Sequence, residues 1–118
     1  MANITEFILL PLAELPTNND ESSYIVEHII NPWLANQNIP TFKLITKGNL
    51  GFFNSDIYVN AFKHCPISEK EIVNFIFSQQ WKNIEELTLL VDSDYFSNAN
   101  WNVFKVDNYK KLSEKLWR

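Results

Sequence analysis

The chain has 118 residues, 46% of them apolar and 14% aromatic, and a formal net charge of -4. A chain of this length and composition buries about 65% of its unfolded surface in one domain, without needing a disulfide or a metal to fold. The acid excess excludes a general nucleic-acid binder, which needs a basic face.

Charge is sorted by sign along the chain. The first 42 residues hold no lysine or arginine but carry Glu6, Glu14, Asp20, Glu21 and Glu27. The last 14 hold Lys105, Lys110, Lys111, Lys115 and Arg118. Such asymmetry steers partners more than it decides a fold. Cys65 is the only cysteine, so no internal disulfide is possible and a cytoplasmic protein is expected. The opening residues lack a positive n-region, and their apolar run is only Phe7 to Leu10. Neither a signal peptide nor a membrane span is therefore expected. Gly48 and Gly51 are the only glycines, which excludes the glycine-rich loops that cradle phosphates.

In chain order, Ile4 to Leu10 is an apolar run closed by Pro11, the profile of a buried strand. Leu12 to Asn19 reads as a loop. A helix is predicted from about Asn19 or Asp20, with acid in its first turn and Tyr24, Ile25, Ile29 and Trp33 recurring at helical spacing. Pro32 lacks the amide needed to continue it, so a break or kink is predicted near Asn31, where Asn31-Pro32 can restart the helix. Ile39 to Thr46 reads as a strand, Lys47-Gly48-Asn49 as a turn, and Leu50 to Phe53 as the returning partner. Asn54 to Phe62 fits either a strand through Ile57 and Val59 or a helical face through Ile57, Tyr58, Ala61 and Phe62; the strand is chosen.

Ser68 and Glu71 have the spacing of a capping box, flanked by Ile67 and Ile72 as a hydrophobic staple. They predict a helix from there to about Gln80. Glu85 to Val91 reads as a central strand, apolar on both faces. Asp92 to Asn100 follows as a polar loop, Trp101 to Val106 as a strand, and a last helix begins near Asp107 or Asn108. That helix carries Tyr109, Leu112 and Leu116 on one face and its lysines elsewhere. The sum is a single α+β domain spanning residues 1–118, with a four- or five-stranded mixed or antiparallel sheet and about three helices packed on it.

Few residues suggest chemistry. Asp92-Ser93-Asp94 follows an apolar strand, a placement where two carboxylates can share a divalent cation. Turn-forming residues explain the same tripeptide more simply. His64-Cys65 suggests a nucleophile and base, but neighbours in an extended segment point to opposite faces. A structural cysteine is the plainer reading. His28 lacks companions for a zinc site. The basic tail with Tyr109 and Trp117 could hold nucleic acid, yet Asp107 and Glu114 dilute it, and an amphipathic helix accounts for it. No cofactor, metal site or catalytic residue is expected.

What remains is a binder. Carboxylates beside an aromatic anchor can occupy the positive cleft of a basic enzyme. The candidate partner-binding residues are Asp92, Asp94, Tyr95, Phe96, Glu85 and Glu86, with Asp20 and Glu21 as a second patch. In size, acidity, aromatic content and lack of catalytic motifs the chain resembles small immunity proteins of bacterial toxin systems, including those of contact-dependent growth inhibition. That resemblance implies a cognate protein toxin or effector domain of basic, nuclease type, bound in the cytoplasm by a monomer or weak homodimer. Two alternatives stand beside it: a small metal-dependent hydrolase using Asp92 and Asp94, and a non-catalytic subunit that associates with itself through aromatics.

Overall fold

Alternation along Thr5–Pro11 (β1) sets the architecture. Thr5, Phe7, Leu9 and Pro11 are buried, Glu6 is exposed, and Ile8 and Leu10 are half-buried. One face of the strand therefore meets a core while the other looks outward. The computed structural model describes residues 4–11, 13–14, 24–46, 49–50, 53–54, 56–63, 67–81, 84–96 and 101–117. After β1 come β2 (Ala13–Glu14), a π-helical segment (Ile25–Ile30), α1 (Asn31–Asn36), β3 (Lys43–Thr46), β4 (Asn49–Leu50) and β5 (Phe53–Asn54). Then follow β6 (Ile57–Phe62), α2 (Glu69–Phe77), a 3-10 turn (Ile84–Glu86), β7 (Leu87–Ser93), β8 (Asn102–Phe104) and α3 (Tyr109–Leu116).

Five strands form one sheet in the order β3-β6-β1-β7-β8, antiparallel at every junction. The class is α+β, and the five-stranded alternative is the one adopted. A smaller antiparallel sheet, β2-β5-β4, was not anticipated. The inner face of the large sheet contributes Phe7, Leu9, Tyr58, Leu89, Val91 and Phe104 to a single core. The helical segments answer with Val26, Ile30, Leu34, Ile72, Ile76 and Leu116. Each fully buried side chain of this kind contributes about 1.5–3 kcal/mol. The outer face stays in contact with solvent.

Several elements depart from the sequence reading. The first helix does not break at Asn31. Ile25–Ile30 winds as a π-helix, ending with the Asn31 amide bonded to the Val26 carbonyl, and Pro32 opens the α-helical stretch that follows. A widened turn before a proline relieves the clash its ring makes with the preceding turn. Asn31 is not a cap. Its side-chain amide instead donates to the Phe42 carbonyl (3.1 Å) and accepts from the Phe42 amide (2.9 Å), fixing the segment that leads into β3. α1 ends in a reciprocal backbone motif, Ile39 amide to Leu34 carbonyl and Asn38 amide to Ala35 carbonyl, both 3.0 Å. This motif requires a left-handed residue after the last turn, and Asn38 supplies it with φ 59.

The strand predicted over Ile39 to Thr46 is shorter, because Ile39 and Phe42 are spent on the core. Its partner is β6 rather than Leu50 to Phe53, with Lys43 opposite Val59 and a register shift between Leu44 and Thr46. Segment 57–62 is a strand, as chosen. Lys47 and Gly48 lie outside the described residues, and Asn49 is paired in β4. Ser68 caps α2 where predicted, although its hydroxyl accepts from the Lys70 amide rather than that of Glu71. α2 ends at Phe77, three residues early, and the Trp81 indole donates to the Ile76 carbonyl at 2.7 Å.

The largest departure lies at the end of β7. Asp92 and Ser93, read as loop, continue the strand opposite Glu6 and Thr5. The cause is a buried polar cluster. Glu69, the first residue of α2, is only 6% exposed. Its carboxylate accepts hydrogen bonds from Thr5 Oγ1, from Ser93 Oγ (2.7 Å) and from the indole of Trp117 (2.7 Å). A helix N-terminus also favours a carboxylate. Burying such a group is tolerated only when it is bonded, and here three separate segments supply the donors.

Replacing Trp117 by Phe keeps the ring but removes one of these donors. The expected loss of unfolding free energy is about 1.5–3 kcal/mol, the range for a hydrogen bond to a charged group, and urea denaturation measures it. At Asn38, substitution by Ala is expected to cost about 1 kcal/mol, because Ala keeps the Cβ that resists the left-handed region but lacks the short polar side chain with which Asn offsets it. Substitution by Gly at the same position is expected to leave the unfolding midpoint unchanged or raise it.

Candidate functional site

The outer face of the large sheet can be read row by row from the strand register. One row runs Lys43, Val59, Ile8, Leu90 and Val103 across all five strands. Its middle is apolar. The next row sets Ala61 opposite Glu6, and Glu6 opposite Asp92. Asn102 pairs with Val91, so Trp101 lies one position beyond, beside Asp92, and is 44% exposed. The second row therefore reads Ala61, Glu6, Asp92, Trp101: a methyl, two carboxylates and an indole.

Like charges directly opposite on neighbouring strands repel and destabilise the pair. Glu6 and Asp92 stand in that relation. Asp94 adds a third carboxylate close by, but it is partly engaged. Its Oδ2 accepts from the Ile4 amide (2.9 Å) and its own amide donates to the Ile4 carbonyl (3.2 Å), extending the β1–β7 ladder past its last pair. The chain then turns sharply. The Phe96 amide returns to the Ser93 carbonyl (3.1 Å), and the Tyr95 amide donates to Ser93 Oγ (3.1 Å). Tyr95 sits at this corner, 49% exposed.

Not all candidate residues share this place. Asp92, Asp94 and Tyr95 are brought together. Phe96 is buried, its ring 4.8 Å from Trp117 and 6.4 Å from Phe104, so it braces the corner from beneath instead of offering a surface. Glu85 and Glu86 are exposed on the 3-10 turn before β7, at the other end of that strand. From Glu86 to Asp92 is about 20 Å at 3.3 Å per residue. Asp20 and Glu21 lie outside the described residues, as do His64 and Cys65. Two residues were missed as site members: Glu6, and Trp101 as the partner of Asp92 across the sheet. The signal for Glu6 was a lone charge at an outward position of an apolar strand.

A groove of about 420 Å³ opens on this face. Ile8, Val59 and Ala61 floor it, Pro40 and Thr41 form one side, Trp101 stands at the other, and Glu6 contributes a carboxylate to the lining. Elsewhere, His28 is exposed with its ring 4.7 Å from Tyr24. Tyr109 stacks on Phe77 at 4.5 Å and Trp117 is buried. Trp117 thus offers no ring face to a base and Tyr109 has one face taken by Phe77, while Lys110, Lys111 and Lys115 form a solvated side of α3. Among the described residues no group of three or more His, Cys, Asp or Glu is placed to hold a metal ion, and no helix is long and apolar enough to cross a membrane. No family model, no curated protein and no solved structure matches the chain.

Relieving the carboxylate opposition should stabilise the fold. Asp92→Asn is expected to raise the unfolding free energy by about 0.2–1 kcal/mol. The gain should shrink as salt is added, because screening weakens the repulsion it removes. Urea unfolding at low and high ionic strength checks both parts.

Proposed function

We propose that this protein is a non-catalytic inhibitor that binds a basic protein partner through the acidic and aromatic corner of its outer sheet face. The reading extends to an immunity protein neutralising a cognate toxin domain in the cytoplasm of the producing cell. The observation that carries it is the Glu6–Asp92 opposition flanked by exposed Tyr95 and Trp101. A self-repelling pair in the middle of a sheet lowers stability, and such residues are the ones expected where a surface serves binding rather than folding. Aromatics beside the carboxylates suit an interface anchor. The carboxylates favour fast association with a positive surface.

The test is affinity purification of the tagged chain from its own host at low salt, followed by association kinetics with the partner recovered. A stoichiometric basic protein is expected. Its association rate should fall about tenfold or more between low and high salt, and should fall further in the Glu6→Gln/Asp92→Asn variant. A chain that elutes alone, or only with copies of itself, rejects the proposal.

A further inference from the structure

We infer that the groove on the outer sheet face is an arginine pocket, taking one arginine side chain from a basic segment of a partner protein. The inference rests on the reading above and names the chemistry of its anchor. Three features converge. Trp101 and Glu6 line the same groove, so a planar cation between them meets an aromatic face on one side and a carboxylate on the other. Asp92, directly opposite Glu6 on the neighbouring strand, adds a second carboxylate to the field there. The floor of Ile8, Val59 and Ala61 is apolar, which suits the methylene stem of a long cationic side chain. The depression itself follows from Ala61, the smallest side chain of the outer face, standing opposite Glu6.

Arginine fits better than lysine for reasons of shape. Its guanidinium is flat, stacks on indole and pairs with a carboxylate through two parallel N–H donors. The ammonium of lysine is a compact, strongly hydrated point charge that does neither as well. Charge favours a cation at this end of the groove. The backbone of Lys43, the lining cation, stands about 12 Å from that of Glu6, two strand spacings across and two residues along. Two other lysines share this face. Lys105 donates to Thr88 Oγ1 at 3.3 Å, toward the opposite end of β7. Lys63 follows β6 in an exposed position two residues past Ala61, so three carboxylates, Glu6, Asp92 and Asp94, outnumber the one lysine at this end.

The experiment is a titration of the isotope-labelled full chain, followed by NMR, with acetyl-Gly-Arg-Gly-amide and with its lysine counterpart. The arginine peptide is expected to give saturable, millimolar binding, with shifts at the Trp101 indole N–H and at the Glu6 and Ile8 amides. The lysine peptide should bind about fivefold more weakly or worse, a difference of about 1 kcal/mol. Ala61→Phe fills the groove from an exposed position while leaving both carboxylates in the chain, and should abolish the shifts. Glu6→Gln should weaken binding about fivefold. Equal, non-saturating shifts with both peptides overturn the inference, as does unchanged binding in Ala61→Phe. So does concentration dependence of these resonances without peptide, which would mean a second copy of the chain covers the face. The two proposals fail separately. If arginine binds but no basic partner is recovered, the inhibitor reading falls and the pocket stands. If a partner is recovered whose affinity Ala61→Phe leaves unchanged, the pocket falls alone.

Discussion

A single buried carboxylate holds the sequence-distant parts of this molecule in register. Glu69 opens α2, Thr5 begins β1, Ser93 ends β7, and Trp117 closes α3. All three partners donate to that one side chain. Glu69 and each donor are buried, so losing one donor leaves the carboxylate short of a partner with no water to replace it. The cluster fixes where β7 stops, because Ser93 must face inward. The turn to Phe96 follows from that, and so does the outward placement of Asp94 and Tyr95. Phe96 and Trp117 then pair as an isolated bridge, which returns the C-terminal end to the same corner.

The two faces of the sheet divide the work. The inner face is committed to the core, and its residues are replaceable only by others of similar shape. The outer face carries an apolar row beside a row whose two central members repel one another. Stability alone would not choose that arrangement. The acidic corner is also rigidly supported from below, by Ser93, Phe96 and Glu69. A binding surface held on strand ends and a braced turn loses little freedom when it is occupied.

How much of this was legible in the sequence depends on the range of the interaction concerned. Local signals read well. The Ser68 cap, the apolar run from Ile4 to Leu10 closed by Pro11 and the apolar side of α3 each involve residues within a turn or two of one another. Long-range compensation did not. Asp92-Ser93 has turn chemistry, and only a carboxylate arriving from another element makes Ser93 a strand residue. Phe96 looked like an interface aromatic because nothing nearby shows that Trp117 covers it. The π-helical segment sits before a proline whose place was legible as a break or kink near Asn31, but its form, a widened turn running straight into a new α-helical stretch, was not. At the site, Asp92, Asp94 and Tyr95 were visible from their place after an apolar strand. Glu6 and Trp101 became site residues only through register, which depends on strand pairing and cannot be read from one strand alone.

The two outer edges of the sheet bear on how anything can approach it. β3 is four residues long, begins with a lysine and shifts register between Leu44 and Thr46. β8 is only three residues long. A short, kinked or charged margin is a poor template for another strand. The protein is thereby guarded against edge-to-edge polymerisation even though Leu44 and Ile45 are exposed. A visitor gains little by lengthening the sheet sideways, and is left to lie across its strands.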